Sequence, residues 1–250
     1  MSVLRAEWTK VSTAGGVGWF MVAAVVAIVA VGAGVSALVE CSAEGCTGDP
    51  ARLSLTGVGL GQAIVAIAAV MVIGNEYGTG MIHTTLAAIP RRLTVLAAKA
   101  ALITVLVLPA AILGVLASVQ AGRLMLPGNA EGLSFGDGAV LRAIVGSVVY
   151  LVLIALLSLG VAAAVRDPAT AVGAVLALLY LFPIMAQIVP DQDWQKRLEQ
   201  IGPMNAGLAV QATTDLQGMP IGPWAGLGVL TAWAAAALLL GSLVLRCRDA

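Results

Sequence analysis

Six stretches of this chain, at about 17–39, 57–74, 94–119, 140–165, 169–189 and 223–245, each run for 18 residues or more with no more than one charged side chain. A helix needs about 20 apolar residues to cross roughly 30 Å of hydrocarbon. Inside lipid every backbone N–H and C=O must find a partner within the protein, which leaves helices as the economical solution for such runs. Of the residues 60% are hydrophobic and 10% charged, where a soluble domain carries about a quarter charged. Abundant Ala, Val and Leu with 29 glycines suit closely packed membrane helices. A formal net charge of zero gives no electrostatic case for nucleic acid. The chain therefore reads as an all-α integral membrane protein, with residues 1–250 forming one transmembrane domain. The first run is longer than the roughly 7–15-residue core of a signal peptide. Charged Glu40 stands before Cys41, where a lipoprotein signal would want a small residue, so the run is taken as an uncleaved span.

Six spans place both termini on one side. If that side is the cytoplasm it receives eight basic residues (Arg5, Lys10, Arg91, Arg92, Lys99, Arg166, Arg246 and Arg248), and the outside receives five (Arg52, Arg123, Arg142, Lys196 and Arg197). The excess of Lys and Arg favours cytoplasmic termini. Cys41 and Cys46 then lie outside, where a disulfide persists if it forms. Four residues separate them, so they read as a local disulfide or as two thiols. Within residues 1–16, Leu4, Trp8 and Val11 share one helical face. This is the pattern of a helix lying in the membrane interface, either as an anchor or as a lever against a cytoplasmic partner.

The joint between the second and third spans, "NEYGTGMIHTTLAAIPRR" at 75–92, is unusually polar for this chain. Gly78 and Gly80 should end the second span, and Pro90 should open the third. Between them Met81 to Ala88 makes about two helical turns. Ile82, Leu86 and Ile89 form an apolar face, with His83, Thr84 and Ala87 on the other side, small enough for another protein to approach closely. Arg91 and Arg92 follow at headgroup level. The joint thus reads as a short cytoplasmic helix tied to two spans.

The segment "EYGTGMIHTTLAAIPRR", followed by Lys99, resembles the cytoplasmic joint of ABC-2-type permeases, the membrane-spanning subunits of one large class of bacterial ABC transporters. The opening "LRAEWTKVST" is similar to their N-terminal segment, and the six-span order is compatible over nearly the whole length. His83 departs from the arginine more usual in that family. The resemblance implies a coupling helix driven by a separate or fused ATPase, with Glu76, Tyr77, Gly80, Ile82, His83, Thr84, Thr85, Leu86, Ala87, Pro90, Arg91 and Arg92 as the coupling residues. It also implies a second permease half, a homodimer partner or related chain, and location in a bacterial plasma membrane. The chain has no G-x-x-x-x-G-K-[ST] loop. No cofactor is therefore expected on it, and ATP and Mg²⁺ belong to the partner ATPase. The family places extracellular or re-entrant short helices before the sixth span. Here Pro190, Pro203, Pro220 and Pro223 divide the fifth joint, and Trp194, Leu198 and Ile201 repeat at helical spacing.

Pro183 interrupts the fifth span beside Tyr180, Phe182, Met185 and Gln187, either bordering a substrate cavity or marking a packing irregularity. Gly57 and Gly61 have the spacing of a helix-packing pair, read as internal packing. Asp167 before Pro168 reads as a helix start. The rival function is an ion-coupled secondary transporter of hydrophobic small molecules. Such carriers commonly bury ionisable groups at depth, and no such residue falls near the middle of the six spans. A membrane enzyme lacks a visible catalytic group, since the only histidine, His83, lies in the joint. Export of hydrophobic drugs, antibiotics, peptides or lipids is the expectation.

Overall fold

A computed structural model of the chain describes residues 9, 16–39, 41–42, 45–46, 48–81, 92–125, 133 and 135–247, with the backbone alone at 41–42, 45–46 and 92. Six helices are long and apolar enough to cross a membrane. They are α1 (Gly16–Leu38), α3 (Val58–Gly78), α4 (Arg92–Met125), α5 (Gly138–Val165), α6 (Pro168–Ile188) and α9 (Pro223–Cys247). Short elements join them. A two-residue antiparallel ladder, β1 (Cys41–Ser42) with β2 (Gly45–Cys46), sets Cys41 directly opposite Cys46 in the backbone register. It is followed by α2 (Pro50–Ser54). Between α6 and α9 come α7 (Gln192–Ile201), α8 (Pro203–Leu208) and a 3₁₀ turn at Ala209–Gln211.

Each boundary has a local chemical cause. The helix α3 ends at Gly78; Gly80 adopts φ +71, and its N–H donates to Tyr77 O at 3.2 Å, which closes the last turn as glycine does after a helix. Asp167 caps α6 through Thr170 N at 2.7 Å, with Pro168 in the first turn. The helix α4 has 34 residues, about 51 Å at 1.5 Å per residue, longer than the hydrocarbon core. It continues to Met125, and Arg123 there stacks on Phe135 at 5.0 Å. Both α4 and α6 run on through internal prolines, Pro109 and Pro183.

The helices α3 and α5 form the centre and are the most buried of the six. Against them pack α1, α4, α6 and α9. Glycine sets how closely they approach. A Cβ on Gly57 would lie 2.0 Å from Ile28 O and one on Gly61 2.4 Å from Ile28 Cγ1, so this pair seats α3 on α1 within the chain. The alternation of helices puts residues 79–81, the Arg166–Asp167 elbow and Cys247 at one end of the bundle, called the joint end here. The elements α2, α7 and α8 lie at the other. Cys247 is an exposed free thiol.

Candidate functional site

At the joint end, Lys99 of α4 reaches Glu76 of α3, Nζ to Oε1 2.9 Å, with side chains 1% and 7% exposed. Lys99 Nζ also donates to Val72 O at 3.4 Å. Glu76 stands two residues before the end of α3 and Lys99 two turns into α4, so the pair ties the roots of the two helices that flank the joint. The sequence pattern set Glu76 in the joint and Lys99 among the cytoplasmic charges. Both are instead enclosed by helices. Mutual neutralisation makes this tolerable, because an isolated charge there would carry a large desolvation cost.

The same end is knit further. A Cβ on Gly74 would meet Pro168 Cβ at 2.8 Å, so the Arg166–Asp167 elbow is tucked against α3. Arg166, at φ 67, donates from Nη2 to Val244 O of α9 at 2.9 Å. Tyr77 is half-buried against the core, and Gly80 is exposed. Arg92 begins α4. The remaining coupling residues, Ile82, His83, Thr84, Thr85, Leu86, Ala87, Pro90 and Arg91, lie outside the described residues, as does the interfacial segment 1–16 apart from Thr9 and Gly16.

Toward the other end of the bundle a buried polar knot joins α3, α5, α6 and α8. Tyr150 OH donates to Gln62 Oε1. Gln62 Nε2 donates to Met204 Sδ at 3.1 Å and lies 3.4 Å from Tyr180 Oη, while Tyr180 donates to Gly59 O at 2.8 Å. Gln62 and Tyr150 are fully buried, and these bonds are what makes that affordable.

The opposite end holds a cavity of about 800 Å³. Pro183, Ala186 and Gln187 of α6 form one wall, Asp49, Arg52 and Thr56 around α2 another, and Ala209, Ala212 and Thr214 a third. Of the five residues singled out on α6, Pro183 and Gln187 face this space. Tyr180 belongs to the deeper knot, and Phe182 packs edge-on to Trp233 at 6.2 Å. Met185 is exposed.

Asp49 went unnoticed in the sequence, although Asp-Pro there repeats the signal read at Asp167. Its carboxylate caps α2 and also accepts from Thr213 and Thr214. Partial burial pushes this carboxyl upward. The Thr213 hydroxyl and the N–H groups of Thr213, Thr214 and Arg52 outweigh that push and hold it below its ordinary value of 3.8. A depressed folded-state value means the stabilisation is complete above the unfolded value and is lost as pH falls through the folded one. The thermal midpoint of the protein should exceed that of Asp49→Asn from neutral pH down to about 5, and the gap should close in more acid solution. A gap that stays constant to pH 3 would refute this.

No protein-family model matches this chain, and no curated protein matches it by sequence.

Proposed function

We propose that the chain is one membrane-spanning half of an ATP-driven exporter, coupled to a separate ATPase through residues 76–92 and paired with a second half in a bacterial plasma membrane. The observation that supports this best is the Glu76–Lys99 pair. A push on the joint reaches two helices at once only if their roots cannot slide past each other, and a buried ion pair supplies that connection. The Pro168 and Arg166 contacts carry the same displacement to α6 and α9. The similarity of the joint to ABC-2-type permeases supplies the identity of the driver. The cavity at the far end, lined by Asp49, Arg52 and Glu199 as well as Leu53, Pro183 and Ala186, suits amphipathic cargo.

The same ion pair lends something to the rival, an ion-coupled carrier, because it places two ionisable groups within membrane helices. Its position near the joint end, rather than at mid-depth, favours the mechanical role.

An ATPase should co-purify with the protein from native membranes, and Thr84→Trp with Ala87→Trp should abolish both that association and ATP-dependent export. Association and export that survive both substitutions would overturn the coupling assignment. Transport driven by a proton or sodium gradient, with no nucleotide present, would establish the rival instead.

A further inference from the structure

The Asp49 carboxylate takes five donors from two unrelated places. Oδ1 accepts from Ala51 N at 3.1 Å and Arg52 N at 3.3 Å, the local cap of α2. It also accepts from Thr213 Oγ1 at 2.6 Å, and Oδ2 accepts from Thr213 N and from Thr214 N at 3.1 Å. The remote donors sit where the chain leaves the 3₁₀ turn. On the opposite side, α5 holds this stretch twice: Gln211 Nε2 donates to Ser147 Oγ at 3.0 Å, and Arg142 Nη2 donates to Ala212 O at 2.8 Å.

The two attachments differ in kind. Those to α5 anchor residues 211 and 212 to a spanning helix. The attachment to Asp49 crosses the wall of the cavity, since Asp49, Ala212, Thr214 and Asp215 all line it. Beyond Thr214 the chain forms turns up to Pro223, and Asp215 takes φ 50, a conformation Asp tolerates better than most side chains. Held next at Pro220, whose O accepts from Gln200 Nε2 at 2.7 Å, such a stretch can bow outward between its two anchors. If Thr213 and Thr214 let go, the carboxylate keeps its two N–H donors on α2, so release strands no buried charge.

We infer that Asp49 is a positioning residue, a latch whose bonds to Thr213 and Thr214 hold the 213–215 segment as one wall of the cavity and whose release widens the cavity's mouth, which already meets the medium at exposed Arg52, Gln187 and Asp215. The latch stands on this geometry alone; its use in letting cargo out rests on the exporter reading.

Ala212, only 4% exposed, is the reporter position. With Cys41, Cys46 and Cys247 replaced by serine, Ala212→Cys is placed in the full-length protein in lipid nanodiscs, and its reaction with a charged maleimide is timed. A second reporter, Ala68→Cys, sits fully buried in α3. Loss of charge-assisted hydrogen bonds by Asp49→Ala should speed reaction at 212 roughly tenfold or more, with 68 unchanged. Thr213→Val, which leaves the cap of α2 intact, should give a smaller rise, and Asp49→Asn, which keeps one acceptor oxygen, an intermediate one. Unchanged reaction at 212 in Asp49→Ala and Thr213→Val, or equal acceleration at 212 and 68, would overturn the latch. Faster labelling with ATP-dependent export unaltered would keep the latch and remove it from transport. Failure of any ATPase to associate would remove the exporter reading and leave the labelling result standing.

Discussion

Replacing Lys99 with methionine should cost about 3–5 kcal/mol, the usual toll for stripping one partner from a buried ion pair. Glu76 would remain almost wholly enclosed by helices with its cationic partner gone. The carboxylate must then draw in water or shift α3, and either route loosens the joint end. The double substitution Glu76→Gln with Lys99→Met should recover most of that loss, because a well-packed neutral pair is often as stable as the ions it replaces. Midpoints of thermal inactivation in detergent for the two single variants and the double give the coupling directly. Simple additivity of the two single effects would show that the side chains do not depend on each other. Under the exporter reading the double variant has a second signature. It folds, yet its α3 and α4 roots are joined by a weaker contact, so ATP hydrolysis should proceed with less export per ATP. A folded double variant with undiminished export per ATP would leave the pair a purely structural role.

The pair also marks where sequence reasoning stops. The six spanning helices were legible because their signals are local: length of apolar run, glycines 78 and 80, and the Asp167–Pro168 start. Glu76 looked like part of the joint because the apolar run ends at Gly74. The helix carries on to Gly78 because the charge finds its partner 23 positions away on another helix, in Lys99. Nothing within the α3 segment encodes that. Asp49 was half legible: the Asp-Pro pattern announces the cap of α2, whereas Thr213 and Thr214 lie 164 and 165 positions on. Gln62 is a polar residue within an apolar run, but its partners Tyr150 and Met204 come from other elements. On α6 the helical period sorts the five residues, of which Pro183 and Gln187 line the cavity. Tyr180, Pro183 and Gln187 fall at i, i+3 and i+7 on one face. Phe182 and Met185 lie off it, and neither lines the cavity.

Glycine substitutions should separate contact from composition more sharply than any surface change. A Cβ on Gly160 of α5 would sit 2.5 Å from Ala237 C, 2.6 Å from Leu238 N and 2.8 Å from Ala237 O. All three are backbone atoms of α9, which have no rotamer to step into. From the other side, a Cβ on Gly241 would lie 2.7 Å from Gly160 O. The two helices therefore meet backbone to backbone, and any side chain at 160 must lever α9 away from α5. Gly160→Val should cost at least the 1–3 kcal/mol typical of overpacking, with Gly160→Ala already harmful. Gly228, also on α9, has nothing within 4 Å. There Gly→Ala should be neutral or slightly stabilising, since alanine is the better helix former by up to about 1 kcal/mol. The comparison of midpoints for Gly160→Ala and Gly228→Ala is decisive because the two changes add the same methyl group. Equal effects would mean that α5 and α9 do not cross at Gly160. Unequal ones would place the constraint at the helix whose other faces carry Tyr150 for the buried knot and Arg142 for the cavity wall, so that a displacement at one crossing reaches both.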